Sequence, residues 1–152
     1  MKLAPIYDIN QINKIMLDLS VVDDISDDYS KGCAIHTLPE NFEFMAIYDL
    51  GQLQGFYVIT PLNAVTAEIH TCLLPTIRGK KAILAGTLLL NYLFSKYLKA
   101  ISWVPEINRK ALIYAIRLGF SVEGINKKSF FKNSCLIDQK LVGLTREEWL
   151  CQ

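Results

Sequence analysis

The segment from Arg78 to Phe120 restricts the possible fold more than any other part of the chain. It is preceded by Ala67-Glu68-Ile69-His70-Thr71-Cys72-Leu73-Leu74, an apolar run that reads as a strand and is ended by Pro75. Arg78-Gly79-Lys80-Lys81-Ala82 then makes a basic turn, and apolar residues recur at helical spacing from about Lys80 to Tyr97. A short strand from Ala100 to Val104 follows. After a break at Pro105-Glu106, a second helical pattern begins at Asn108 and closes in Leu118-Gly119-Phe120. A strand that feeds a glycine turn and a helix N-terminus leaves backbone N–H groups unpaired, and the helix dipole adds to their positive potential. Both favour an anion, so this segment predicts a pocket for a phosphorylated, nucleotide-like ligand.

The flanking patterns supply the rest of the sheet. Ile9, Ile12, Ile15, Met16 and Leu19 recur at helical spacing, with Asp8 placed to cap that helix. Asp23-Asp24-Ile25-Ser26-Asp27-Asp28 is acidic and loop-like. Phe42 to Leu50, a turn at Gly51-Gln52, and Leu53 to Thr60 form a predicted hairpin, and Pro61-Leu62-Asn63 separates it from the next strand, Val65 to Leu74. Ser121 to Phe131 and Cys135 to Val142 read as a final strand pair, and Thr145-Arg146-Glu147-Glu148 has the form of a capped terminal helix. Strands that run antiparallel and then cross over through helices predict an α/β fold. Its central sheet is mixed and mostly antiparallel, with helices on both faces, in a single domain over residues 1–152.

Bulk composition narrows the function classes. Hydrophobic residues are 51% and charged residues 20% of the 152, as a globular chain requires. A formal net charge of +1 argues against a general nucleic-acid binder. The richest apolar run, Ala82 to Phe94, is interrupted by Gly86, Thr87 and Asn91, so no membrane span is expected. Met1-Lys2-Leu3-Ala4-Pro5 lacks a signal-peptide core, which points to the cytoplasm. Cys33, Cys72, Cys135 and Cys151 show no metal-ligand spacing with His36 or His70, so free thiols and no metal site are expected.

The order of these elements and the strand–Arg78-Gly79-Lys80–helix turn resemble the GNAT superfamily of acyl-CoA-dependent N-acyltransferases. So does the stretch Val104-Pro105-Glu106-Ile107-Asn108-Arg109-Lys110-Ala111 running on to Arg117-Leu118-Gly119-Phe120. Glu123-Gly124, Leu136-Ile137-Asp138 and Leu144-Thr145-Arg146-Glu147-Glu148-Trp149 look like the subgroup that acetylates ribosomal-protein N-termini. The likeness extends to small GNAT-like proteins of tailed phages, some of them assigned to head assembly. It implies that acetyl-CoA is bound with its pyrophosphate on Arg78, Gly79, Lys80, Lys81, Ala82 and Ile83, with its thioester along Cys72, Leu73 and Leu74, and with Asn108 touching the cofactor. It further implies Glu68 as the base that deprotonates an amine acceptor, directly or through water, with His70 on the same face of the strand. The acceptor would be a protein N-terminus, a lysine side chain or a small amine.

Three positions depart from the family pattern. Lys81 stands at the turn's second glycine position and Ile83 at its final small one, so a side chain there crowds the phosphates unless it points away. Ala115 stands where many members carry the tyrosine that protonates the departing thiolate; Tyr114 lies beside it on another azimuth. Plainer readings stand beside the functional ones. Glu68 and His70 can be an ion-paired carboxylate and a hydrogen-bonded sheet histidine, Arg78-Gly79-Lys80 an exposed turn, and Asn108 an N-cap. The Asp23–Asp28 cluster is either a solvated loop or an attractor for a cationic substrate. Lys127, Lys128 and Lys132 beside Phe130 and Phe131 are either a solvated hairpin or a docking point. The competing function is a catalytically degenerate GNAT-shaped protein that serves in phage head assembly, with a virion partner, or as a binding module.

Overall fold

The computed structural model describes residues 1–151. Strand β1 (Lys2–Pro5) leads into helix α1 (Ile9–Met16), where Asp8 Oδ1 accepts from Asn10 N at 2.9 Å and from Gln11 N at 3.3 Å. This is the side-chain cap expected at Asp8, and it satisfies amides that the first helical turn cannot. The acidic stretch is not all loop, because Val22–Ile25 forms a short helix, α2. The hairpin of β2 (Glu43–Asp49) and β3 (Gln52–Pro61) turns at Leu50-Gly51, one residue before the expected position. Then come β4 (Thr66–Leu73), α3 (Lys80–Phe94), β5 (Lys99–Pro105) and α4 (Arg109–Arg117). The chain closes with β6 (Ser121–Lys132), β7 (Cys135–Thr145) and α5 (Arg146–Leu150), where Thr145 and Glu148 form a capping box.

The strands make one seven-stranded sheet in the order β1-β2-β3-β4-β5-β7-β6, and its parallel pairing is β4 with β5. β1, which the sequence pattern did not reveal, pairs antiparallel with β2 from Lys2↔Tyr48 to Pro5↔Met45. Helices cover both faces, as expected. On one face Leu89, Leu90 and Leu93 of α3, Ala115 of α4 and its C-cap Leu118 pack on Met45, Tyr57, Ile59 and Ile69. On the other face Ile12 and Ile15 of α1 and Val21 pack on Phe44, Phe56 and Cys72. Gly119, just past the Leu118 cap of α4, has a φ of 95°, a conformation that side chains disfavour, and Phe120 N returns to Ala115 O at 3.1 Å. That sharp stop lets β6 start at once and pair with β7 along the far edge.

Candidate active site

The site begins where two neighbouring strands part. β4 and β5 pair over Thr66↔Lys99, Ala67↔Ala100 and Glu68↔Ile101, and no further. At the next step Ser102 Oγ donates to Ile69 O at 2.8 Å, so a side chain spans a gap that the backbones no longer close. β5 meanwhile follows β7 as far as Pro105↔Gln139, and β4 follows β3 as far as Gly55↔Leu73. Backbone polar groups alternate sides along a strand. Those of Thr71 and Leu73 therefore share the side of Ile69 and face the opening. The opening is a cleft of about 1090 Å³ that reaches from α1 and α2 on one sheet face to α3 and α4 on the other.

The N-terminus of α3 stands at this cleft. Gly79 has φ 63° and ψ −128°, a conformation that a side chain would strain, and no side chain caps the helix there. A Cβ built on Gly79 would meet nothing within 4 Å, so the corner is open. Lys81 does not fill it: its Nζ reaches outward to Asp49 Oδ2 at 2.7 Å. That hydrogen bond holds the Asp49 carboxyl below its ordinary range. Ile83 packs against the core on the α3 face while still lining the cleft. Arg78, Gly79, Ala82 and Ile83 line it together, whereas Leu74, Lys80 and Lys81 lie off it. Leu74 packs on the α1 face and its N–H is taken by Gln54 O at 2.9 Å.

Glu68, His70 and Cys72 alternate onto the α1 face of β4, and all line the cleft. His70 Nε2 lies 3.4 Å from Glu68 Oε1, with the histidine side chain 54% exposed and the carboxylate 16%. The pair thus runs from inside the cleft out to solvent. Burial pushes the Cys72 thiol up to about 12, so at neutral pH it is protonated and a poor nucleophile.

Asn108 caps α4 as its sequence position suggested, accepting from Ala111 N at 3.1 Å. Its amide Nδ2 donates to Asp24 O at 3.0 Å, which ties α4 to α2 across the cleft mouth. Tyr114, beside the family's tyrosine position, is not free either. Its hydroxyl donates to Ala82 O at 3.1 Å and lies 2.7 Å from Tyr57 Oη. With the single Tyr114 proton on Ala82 O, Tyr57 is the donor of the second bond. Burial pushes Tyr114 up to about 12 and raises Tyr57 well above its usual range. Ala115 leaves bare cleft wall.

Several contributors had no sequence signal. Lys132, expected on a solvated hairpin, is buried and donates to Asp23 O at 2.9 Å and Ser26 O at 2.6 Å, pinning the acidic segment to β6. Asp28 accepts from the amides of Asn133 at 3.1 Å and Ser134 at 2.8 Å. Tyr29 stacks on Phe131 with ring centroids 5.2 Å apart. Ser102 and Tyr57 also went unsuspected, since a strand serine and a strand tyrosine look ordinary until the opposite element is known. The four cysteines are free, and among the described residues no group of His, Cys, Asp or Glu could hold a metal ion. Among the same residues no helix is long and apolar enough to cross a membrane.

The profile of the family described as "Protein of unknown function (DUF2824)" matches residues 1–151. The chain belongs to this family. No curated protein matches its sequence. Among solved structures, a chimera of spermidine N-acetyltransferase SpeG from Vibrio cholerae with hSSAT is 19% identical, with a TM-score of 0.80 over 99% of each chain. Spermidine N-acetyltransferase from Vibrio cholerae in complex with CoA and spermine is 18% identical, with a TM-score of 0.73 over 98% of this chain and 97% of that one. A probable acetyltransferase is 23% identical, with a TM-score of 0.64 over 72% of this chain and 64% of that one. These likenesses establish that this DUF2824 protein has the GNAT acyltransferase fold, as its sequence implied.

Proposed function

We propose that the protein is an acetyl-CoA-dependent N-acetyltransferase, built as one domain, that acts on a primary amine by direct attack. The observation that carries this reading is the open, uncapped corner at Gly79, set at the mouth of the gap between β4 and β5. Amides at the first turn of α3, with the Arg78 guanidinium beside them, suit a diphosphate. The fold's likeness to an enzyme complexed with CoA and spermine supports the cofactor and an amine acceptor. The C-terminal segments, similar to the ribosomal-protein subgroup, favour a protein N-terminus among the acceptors.

Acetyl-CoA would supply the acyl group already activated as a thioester. The cleft-facing backbone groups of Thr71 and Leu73 would hold its carbonyl and arm where β5 no longer pairs with β4. Glu68 accepts the proton of the acceptor amine, directly or through water, and His70 at 3.4 Å passes it to solvent. The cysteine that lines the cleft is a protonated thiol and a poor carrier for the acetyl group, which favours direct attack. Asn108 orders the cleft mouth through Asp24 rather than offering its whole amide to a ligand. Lys80 contributes charge from outside the cleft, whereas Lys81 is paired with Asp49.

Calorimetric titration with acetyl-CoA tests the reading: submillimolar binding is expected. The second reading, a GNAT-shaped binding or phage-assembly protein without turnover, draws on the Tyr114 proton being committed to Ala82 O, which withholds that hydroxyl from a departing thiolate. An intact fold with no detectable acetyl-CoA binding would favour that reading over the enzyme.

A further inference from the structure

The α1 side of the cleft, where the acceptor would enter, has a chemistry that the acidic stretch Asp23–Asp28 did not foretell. Its floor is Phe44 of β2, Val58 of β3 and the Glu68–His70 face of β4; its roof is Met16 of α1, Ile25 of α2, Ile35 and Phe42. Among the described residues, the carboxylates that line the whole cleft are Asp24 and Glu68. The neighbouring acids are spent on structure. Asp23 pairs with Lys31 at 2.6 Å, Asp27 accepts from Ser30 N at 2.7 Å, and Asp28 holds the β6–β7 turn. Asp24 itself lies 3.5 Å from Lys110 Nζ, so part of its field is cancelled.

We propose, resting on the transferase reading above, that the acceptor is a primary amine attached to a bulky apolar group, and not a polyamine. The reacting nitrogen uses Glu68. A polyamine would bring further ammonium groups into a chamber whose other carboxylate already faces a lysine. An ammonium stripped of water without a partner is strongly disfavoured. An apolar substituent gains instead, because Met16, Ile25, Ile35, Phe42 and Val58 present hydrocarbon that it can cover. The same chemistry occurs in a small arylalkylamine and in a peptide whose free N-terminal residue is large and apolar.

The test is CoA thiol release from acetyl-CoA with 2-phenylethylamine, a short peptide beginning with Phe, ethylamine and spermidine, alongside calorimetry with acetyl-CoA. Phenylethylamine or the peptide should exceed spermidine in kcat/KM by at least about tenfold. Whichever of the two leads identifies the source of the apolar amine. The Phe42→Ala variant, at a half-exposed roof position outside the core, should narrow the preference for phenylethylamine over ethylamine by about fivefold. Turnover that favours spermidine, or that ignores the apolar group, overturns this inference and leaves the transferase reading standing. Acetyl-CoA binding without turnover of any of these amines overturns it too, whereas absence of binding removes the transferase reading itself.

Discussion

Replacing Gly79 by alanine separates two consequences of one backbone angle. At φ 63° and ψ −128° the alanine methyl is strained against its own backbone, and the surroundings do not add to the cost, since nothing lies within 4 Å of the new Cβ. A single residue held in such a region costs about 1–3 kcal/mol. For a chain of this size that lowers Tm by about 2–12 °C. The methyl also projects into the space where a diphosphate would approach the first-turn amides. Losing one charge-assisted hydrogen bond there, worth about 1.5–3 kcal/mol, weakens binding by about 10- to 150-fold. Thermal denaturation reads the first effect and calorimetry with acetyl-CoA the second, on the same preparation. Lys81→Ala is the control: it removes an outward contact to Asp49, so it should move both quantities far less. A folded Gly79→Ala protein with the expected fall in Tm and an unaltered acetyl-CoA affinity would refute the reasoning, because the anion would then bind elsewhere.

Other outcomes follow from the same geometry. Glu68→Gln should lower kcat/KM for amine acetylation by about 100-fold or more while acetyl-CoA binding stays near wild type; full activity across pH would remove Glu68 as the base. Tyr114→Phe strips Ala82 O and Tyr57 Oη of their partner, so denaturant titration should show a loss of about 1–3 kcal/mol. If kcat falls with stability unchanged, Tyr114 is instead the proton donor. Iodoacetamide with mass spectrometry should label the exposed Cys33, Cys135 and Cys151 in the native protein, and Cys72 only after unfolding. Burial raises the Cys72 thiol from 9.0 to about 12 and the Tyr114 hydroxyl from 10.0 to about 12. The unfolded chain therefore sheds these protons first, and stability should decline from about pH 9 upward as the folded state retains them. Cys72→Ala should flatten the first part of that decline in alkaline denaturation.

Local chemistry determined a good deal of this protein. The Asp8 cap, the Thr145–Glu148 capping box, the Asn108 cap and the Gly119 stop all join groups a few residues apart, so their partners stand beside them in the chain. The order of strands and helices and the glycine turn before α3 depend on hydrophobic period and backbone freedom, which neighbouring residues also set. Everything that makes a chamber came from contacts between distant segments. The parting of β4 from β5, the outward path of Lys81 to Asp49, and the Tyr57–Tyr114 pair join residues 32 to 57 positions apart. The contacts that pin the acidic stretch to β6 through Lys132 reach further still, across 106 and 109 positions. β1 escaped notice for the same reason, since four residues carry too little pattern and are held by pairing with β2. Such contacts depend on where the sheet brings side chains to rest, and a run of letters does not encode that distance. The residue types for the proposed anion corner and base were therefore present in the chain, while tertiary packing alone decided that the Gly79 corner is open and the α1 side of the cleft lined by hydrocarbon.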